Sequence, residues 1–156
     1  MNDTKNPVDQ LAIALFSEMF MADQLARAQL AKALPSGMEL SHFSVLQHLA
    51  RSGAERTPAQ LARAFHVTRG AMTNTMSKLE WAGYVHVRPD WVDARRKFVA
   101  ISPSGIKARD AALAAIEPVL SNAVAAIGEE KVRVALSVMR ELRTEFEGQI
   151  SDESKS

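Results

Sequence analysis

The chain has 156 residues, 47% of them hydrophobic and 24% charged, with a net charge of +1 and no cysteine. That balance fits one globular domain and argues against a disordered polymer, and without thiols the chain can form neither a disulfide nor a sulfenic acid sensor. No apolar run near the bilayer-spanning length stands out, and no basic segment precedes an apolar stretch at the start, so a cytoplasmic protein without membrane contact is expected.

The two ends, Met1–Asn6 and Ser151–Ser156, are polar and aperiodic and are expected to be loose. From Val8 to Ala33 the apolar positions Val8, Leu11, Leu15, Met19, Ala22, Ala26 and Leu30 step by three or four, which predicts a long amphipathic helix ended by Pro35-Ser36-Gly37. A second helix is predicted over Ser41–Arg51 with Phe43, Leu46 and Leu49 inward. A third opens at Thr57-Pro58-Ala59-Gln60, which supplies an N-cap hydroxyl, a proline at the first position and a glutamine three residues on to complete a capping box. Leu61, Ala62 and Phe65 mark its buried face.

After the turn His66-Val67-Thr68, a fourth helix starts with Thr68 as cap, runs to Ala82 and is closed by Gly83. Met72, Met76 and Leu79 share one face and are expected to pack on the preceding helix. The opposite face shows Arg69, Gly70, Thr73, Asn74, Ser77 and Lys78, side chains of the types that bond phosphates and base edges. The alternative reading of these residues is an ordinary solvated face. Next, Tyr84–Arg88 and Lys97–Ile101 alternate as two strands of an antiparallel hairpin. The loop between them carries Arg95 and Arg96, suited to reach a minor groove, with Asp93 placed to brace Arg95; Asp93 and Arg95 pairing only to stiffen the loop is the plainer alternative. Ser102-Pro103 opens a long helix with an apolar stripe through Ile106, Leu113, Ile116, Leu120, Val124 and Ile127, which Pro118 is expected to bend. Gly128 breaks the chain before a last helix bearing Val132, Leu136, Met139, Leu142 and Phe146.

Helix, turn, helix and basic hairpin in this order predict a mainly α fold with a small β-wing, a winged helix-turn-helix head over 41–102. The head is flanked by long helices at 7–34 and 103–150 whose surplus apolar faces need a partner. A second copy is the economical partner, an intramolecular bundle the alternative. Charge is distributed accordingly. Ser41–Gly105 holds nine Lys and Arg against four Asp and Glu, a net +5, and the remainder is −4.

Leu40-Ser41 through Phe43, Leu46 and Leu49, then Leu61-Ala62, Val67-Thr68-Arg69, Thr73, Leu79-Glu80 and Gly83 resemble the MarR family. So do Asp93-Ala94-Arg95-Arg96 and the closing Ile101-Ser102-Pro103-Ser104-Gly105, where the family usually shows leucine-threonine at the first two positions. The likeness spans roughly Val8 to Phe146. It implies a homodimeric bacterial regulator that binds palindromic operators in double-stranded DNA and is often released by a small ligand. It places Thr73 and the polar face around it on a recognition helix and makes Arg95 the wing arginine. It also implies an effector between head and dimer helices, so that Met19, Phe20, Met38, His42 and Phe43 are candidate contacts for a small aromatic or amphipathic molecule; at helical spacing such residues are also ordinary core.

No cofactor is expected. The histidines His42, His48, His66 and His86 form no metal-ligand pair at helical spacing, and no cysteine nucleophile, glycine-rich phosphate loop or carboxylate pair in a recognisable context suggests an enzyme. The competing class is a winged-helix module that binds another protein and no DNA.

Overall fold

The computed structural model of the protein describes residues 6–153, so the loose ends expected at 1–5 and 154–156 lie outside the described residues. Eight elements follow one another: α1 (Pro7–Ala33), α2 (Leu40–Ser52), α3 (Pro58–Ala64), α4 (Arg69–Trp81), β1 (Val85–Pro89), β2 (Lys97–Ile101), α5 (Pro103–Ile127) and α6 (Glu129–Glu153). The expected class, mainly helical with a two-stranded wing, is the class found. Four of the residues assigned to loose ends are structured. Asn6 caps α1 by accepting from Val8 N at 3.1 Å, and α6 continues past Ser151 because extending a formed helix adds a hydrogen bond per residue at little cost.

The chain divides into two units, Met1–Ile116 and Glu117–Ser156, with the boundary inside α5. In the first unit the head closes around one apolar cluster. Val45, Leu46 and Leu49 of α2, Leu61 of α3, Met72, Met76 and Leu79 of α4, and Val85 and Val99 of the wing are all buried. Leucines and valines taken fully out of water contribute about 1.5–3 kcal/mol each, so this cluster is what orients α4 and the wing on one body. A second cluster joins Leu34 after α1, Phe43 of α2, and Ala112 and Ile116 of α5, with Met38 packed against both.

Local chemistry sets the element ends. Thr57 and Gln60 exchange the two capping-box bonds at 2.9 and 3.1 Å, and Thr68 Oγ1 accepts from Ala71 N at 3.1 Å. Both helices of the helix-turn-helix end in the same motif. Gly83 (φ 74°) closes α4, with Tyr84 N donating to Leu79 O and Gly83 N to Glu80 O, each at 2.9 Å. His66 (φ 51°) does this for α3, with Val67 N donating to Ala62 O at 3.0 Å and His66 N to Arg63 O at 3.2 Å. The wing strands pair antiparallel from Val85 opposite Ile101 to Pro89 opposite Lys97, and Arg56 adds a bridge to Val99, tying the α2–α3 connection to the wing.

α5 leaves the wing through a tight junction. Ser102 N donates to Tyr84 O at 2.9 Å, and an added Cβ at Gly105 would meet that same carbonyl oxygen at 2.0 Å. α5 is also long and apolar enough, by length and composition alone, to cross a membrane, a stretch the sequence reading passed over. Its first half is nevertheless committed to the head: Gly105, Ala112 and Ile116 are buried there. The helix is continuous through Pro118, whose missing N–H leaves one carbonyl a turn earlier without its helical donor.

In the second unit Gly128 (φ 105°) separates the end of α5 from α6. Leu120, Val124, Val132 and Leu136 line a groove between them. Leu120, Ile127, Val134 and Leu136 remain substantially exposed.

Candidate nucleic-acid interface

α4 is divided as its spacing predicts. Met72, Met76 and Leu79 are buried, while Arg69, Gly70, Thr73, Asn74, Ser77 and Lys78 are all exposed on the opposite side. The wing loop is stiffened by its own carboxylates. Asp93 Oδ1 accepts from Arg95 N at 3.1 Å and from Arg95 Nε at 3.3 Å, while Asp90 Oδ1 accepts from Val92 N at 2.9 Å. Arg95 itself stays 92% exposed. The expected brace is therefore present and leaves most of the guanidinium in water.

These pieces meet in a cleft of about 490 Å³ between the start of α3, the start of α4 and the return side of the wing. Its charged lining is Arg63, Arg69, Arg95, Arg96 and Lys97, with Thr57, Gln60 and Thr73 as neutral polar groups, and no carboxylate lines it. Arg63, Arg69 and Lys97 have no acidic partner among the described residues. Five cations lining one open cleft form a surface suited to a polyanion.

Residues 36–96 match the family model described as the MarR family. That match falls on the winged helix-turn-helix head. No curated protein matches the chain. Among solved structures it is similar to a mutant of MarR from E. coli complexed with operator DNA, at 21% identity and a TM-score of 0.75 over 88% of this chain and 99% of that one. It is likewise similar to a MarR-family transcriptional regulator from Streptomyces coelicolor (20%, TM-score 0.75, 85% and 93%) and to the transcriptional regulator BldR from Sulfolobus solfataricus (21%, TM-score 0.73, 87% and 99%).

Within this head, two of the basic residues counted in the sequence are engaged by acids distant along the chain. Lys78 Nζ donates to Glu39 Oε1 at 2.8 Å, and this bond, with the nearby His42, holds the Glu39 carboxyl below its ordinary value. Arg88 grips Glu55 through two bonds of 2.8 and 2.5 Å and lies 4.8 Å above the Phe98 ring, so it buttresses the base of the wing. The same grip lowers the Glu55 carboxyl. Arg63 and Lys97 are residues that sequence reasoning counted as charge but did not place at the site. The signal was available in part, since Arg63 is off the Leu61–Ala62 face of α3, but only the fold brings it to the cleft that Arg96 also lines.

The five residues singled out as effector contacts divide by environment. Met38 and Phe43 belong to the core clusters, Met19 is half-buried on α1, and Phe20 is 66% exposed with Phe16 6.4 Å away. His42 is buried and caps α2: its Nδ1 accepts from Glu39 N at 3.2 Å, which requires the neutral ring. Burial pushes the His42 pKa below its ordinary value, with Glu39 opposing that shift and Lys78 reinforcing it. The other histidines are dispersed: His48 packs edge-on to Phe65 at 5.4 Å, His66 holds the left-handed turn, and His86 is on β1.

Proposed function

We propose that the chain is a sequence-specific DNA-binding transcriptional regulator that works in the cytoplasm as a homodimer on a palindromic operator, as a ligand-responsive repressor. The observation that carries the DNA reading is the meeting of the exposed α4 face with an acid-free cleft of five cations that includes both wing arginines. α4 is the element that would enter a major groove, with Asn74 and Arg69 available to base edges, Thr73 and Ser77 to phosphates, and Arg95 reaching the adjacent minor groove. The E. coli relative with the same fold was crystallised with operator DNA, which supports the same partner here.

The dimer reading is supported by apolar surface. Val8, Leu11 and Ile13 on α1 are 56–71% exposed, and Ile127, Val134 and Leu136 in the second unit are 47–66% exposed, more than a monomer ordinarily leaves in water. A two-fold pair would set two α4 helices about 34 Å apart, matching successive major grooves on one side of B-DNA. An effector that favours another spacing by about 1–3 kcal/mol would change occupancy five- to 150-fold. Small aromatic acids are the probes to screen, by the rise in melting temperature that binding to the native form produces.

The test of the DNA reading is enrichment of duplexes from a randomised 30-base-pair pool by the full-length protein, followed by titration of the winner. Arg95→Ala and Asn74→Ala should each weaken binding roughly tenfold or more while sedimentation still reports the parent's assembly state. If no duplex is enriched, or both variants bind as the parent does, the DNA reading fails and the module that binds another protein takes its place.

A further inference from the structure

The apex of the wing carries Trp91 and Val92, 83% and 96% exposed, on a loop whose conformation does not depend on them. The turn is held by polar bonds: Asp90 N to Arg96 O at 3.0 Å, Arg96 N to Asp93 O at 2.9 Å, and the Asp90 and Asp93 carboxylates on the backbone N–H groups of Val92 and Arg95. Those carboxylates are drawn inward, Asp90 to 14% and Asp93 to 37% exposure, while Arg95 stays at 92%. What the tip offers to a partner is thus an indole, an isopropyl group and a guanidinium, with its negative charge turned away.

We propose that Trp91, seconded by Val92, is a DNA-contacting residue that packs against the sugar edges of the minor groove beside the site entered by Arg95. The proposal rests on the DNA reading and assigns the wing tip a second, apolar mode of contact. The minor-groove wall is built of deoxyribose C–H surface between phosphates, so a tip that pairs a broad apolar side chain with a cation matches it, and apolar side chains can wedge into that groove. Continuity with the cleft selects DNA over another protein: Arg95 and Arg96, three and four residues beyond Val92, line the acid-free cleft. A large indole left in water on a stiff loop has a surface ready to be covered without an ordering cost.

Apolar and ionic contacts are separable by salt, because only the latter release counterions. With the duplex enriched from the random pool, Trp91→Ala should bind about tenfold more weakly at every salt concentration and leave the slope of log Kd against log salt unchanged, whereas Arg95→Ala should lower that slope by about 0.9 per head. Trp91→Phe, which keeps a ring, should recover most of the loss. The chain has two tryptophans, so in Trp81→Phe the indole emission reports Trp91 alone and should change on saturation with the duplex. The melting temperature of Trp91→Ala should equal the parent's. Parent-like affinity of Trp91→Ala alongside a weakened Arg95→Ala would sink the Trp91 assignment and leave the DNA reading intact. So would a salt slope altered like that of Arg95→Ala, which would mean that Trp91 only positions the arginine, or Trp91 emission that ignores the duplex and responds to another protein. Loss of duplex enrichment by the parent itself would sink the DNA reading instead.

Discussion

The hydroxyl of Ser102 donates to the carbonyl oxygen of Gly83 at 2.6 Å, joining the residue that ends α4 to the residue that begins α5. Ser102 Oγ also accepts from Gly105 N at 3.0 Å, and the residue is 2% exposed. One buried hydroxyl therefore serves as the cap of α5 and as the clamp on the turn after α4. Ser102→Ala should lower the unfolding free energy by about 1–3 kcal/mol, since it leaves a part-buried carbonyl and a buried helix-end N–H without partners, and urea denaturation would measure it. A change under about 0.5 kcal/mol would show that water replaces the hydroxyl at both positions.

Gly105 should be the least replaceable glycine of the head. Its missing Cβ is what lets the first turn of α5 lie against Tyr84, where a methyl would stand 2.0 Å from the carbonyl oxygen and 2.9 Å from Ile101 Cγ1. The neighbouring atom is backbone and cannot rotate away. Gly105→Ala should cost about 3 kcal/mol or more, seen as a large fall in the denaturation midpoint; Gly148→Ala, in open space on α6, should be neutral or slightly stabilising.

Glu39 restrains a cation that lies on the proposed reading face. Glu39→Gln should release Lys78, tighten binding of the enriched duplex several-fold and steepen its salt dependence by up to about 0.9 per head in log–log slope. Lys78→Ala should move both quantities the other way. Unchanged salt slopes in both variants would mean that Lys78 stays clear of the phosphates.

The His42 cap makes the head sensitive to acid. Its folded pKa lies below the ordinary 6.5, so the unfolded chain takes up the proton first: stability is complete above that value and declines as pH falls below it toward the lower folded value. Protonation also removes the Nδ1 lone pair that receives Glu39 N–H. Between pH 7.5 and 5 the parent's melting temperature should therefore fall further than that of His42→Gln, which offers a non-titrating acceptor for the same cap. Parallel curves for the two proteins would assign the acid sensitivity to other groups.

Thr57, Gln60, Thr68 and Gly83 were legible in the sequence because a cap acts within three or four residues, and the alternation of the two strands acts within five. The strand boundary moved by one, from Tyr84 to Val85, because the Tyr84 N–H is spent on Leu79 O to close α4. His66 in the left-handed region was not legible, since glycine or asparagine is the usual occupant of such a turn. Nor was the cap formed by Glu39 and His42: the sequence starts that helix at Ser41, the structure at Leu40, and His42 serves the helix end.

Residue order alone determined the helix-turn-helix, the wing, the inward faces of α2 and α4 and the concentration of positive charge in the head, because each is set by periodicity, capping or local composition. Tertiary structure decided which cations are held by distant acids and which line the cleft. Lys78 and Arg88 are paired with acids 39 and 33 residues away, while Arg63 and Lys97 join Arg69, Arg95 and Arg96 around one cleft. Electrostatic partners are chosen by distance in space, which falls off in no regular way along the chain, so charge could be counted from the sequence and assigned only from the fold.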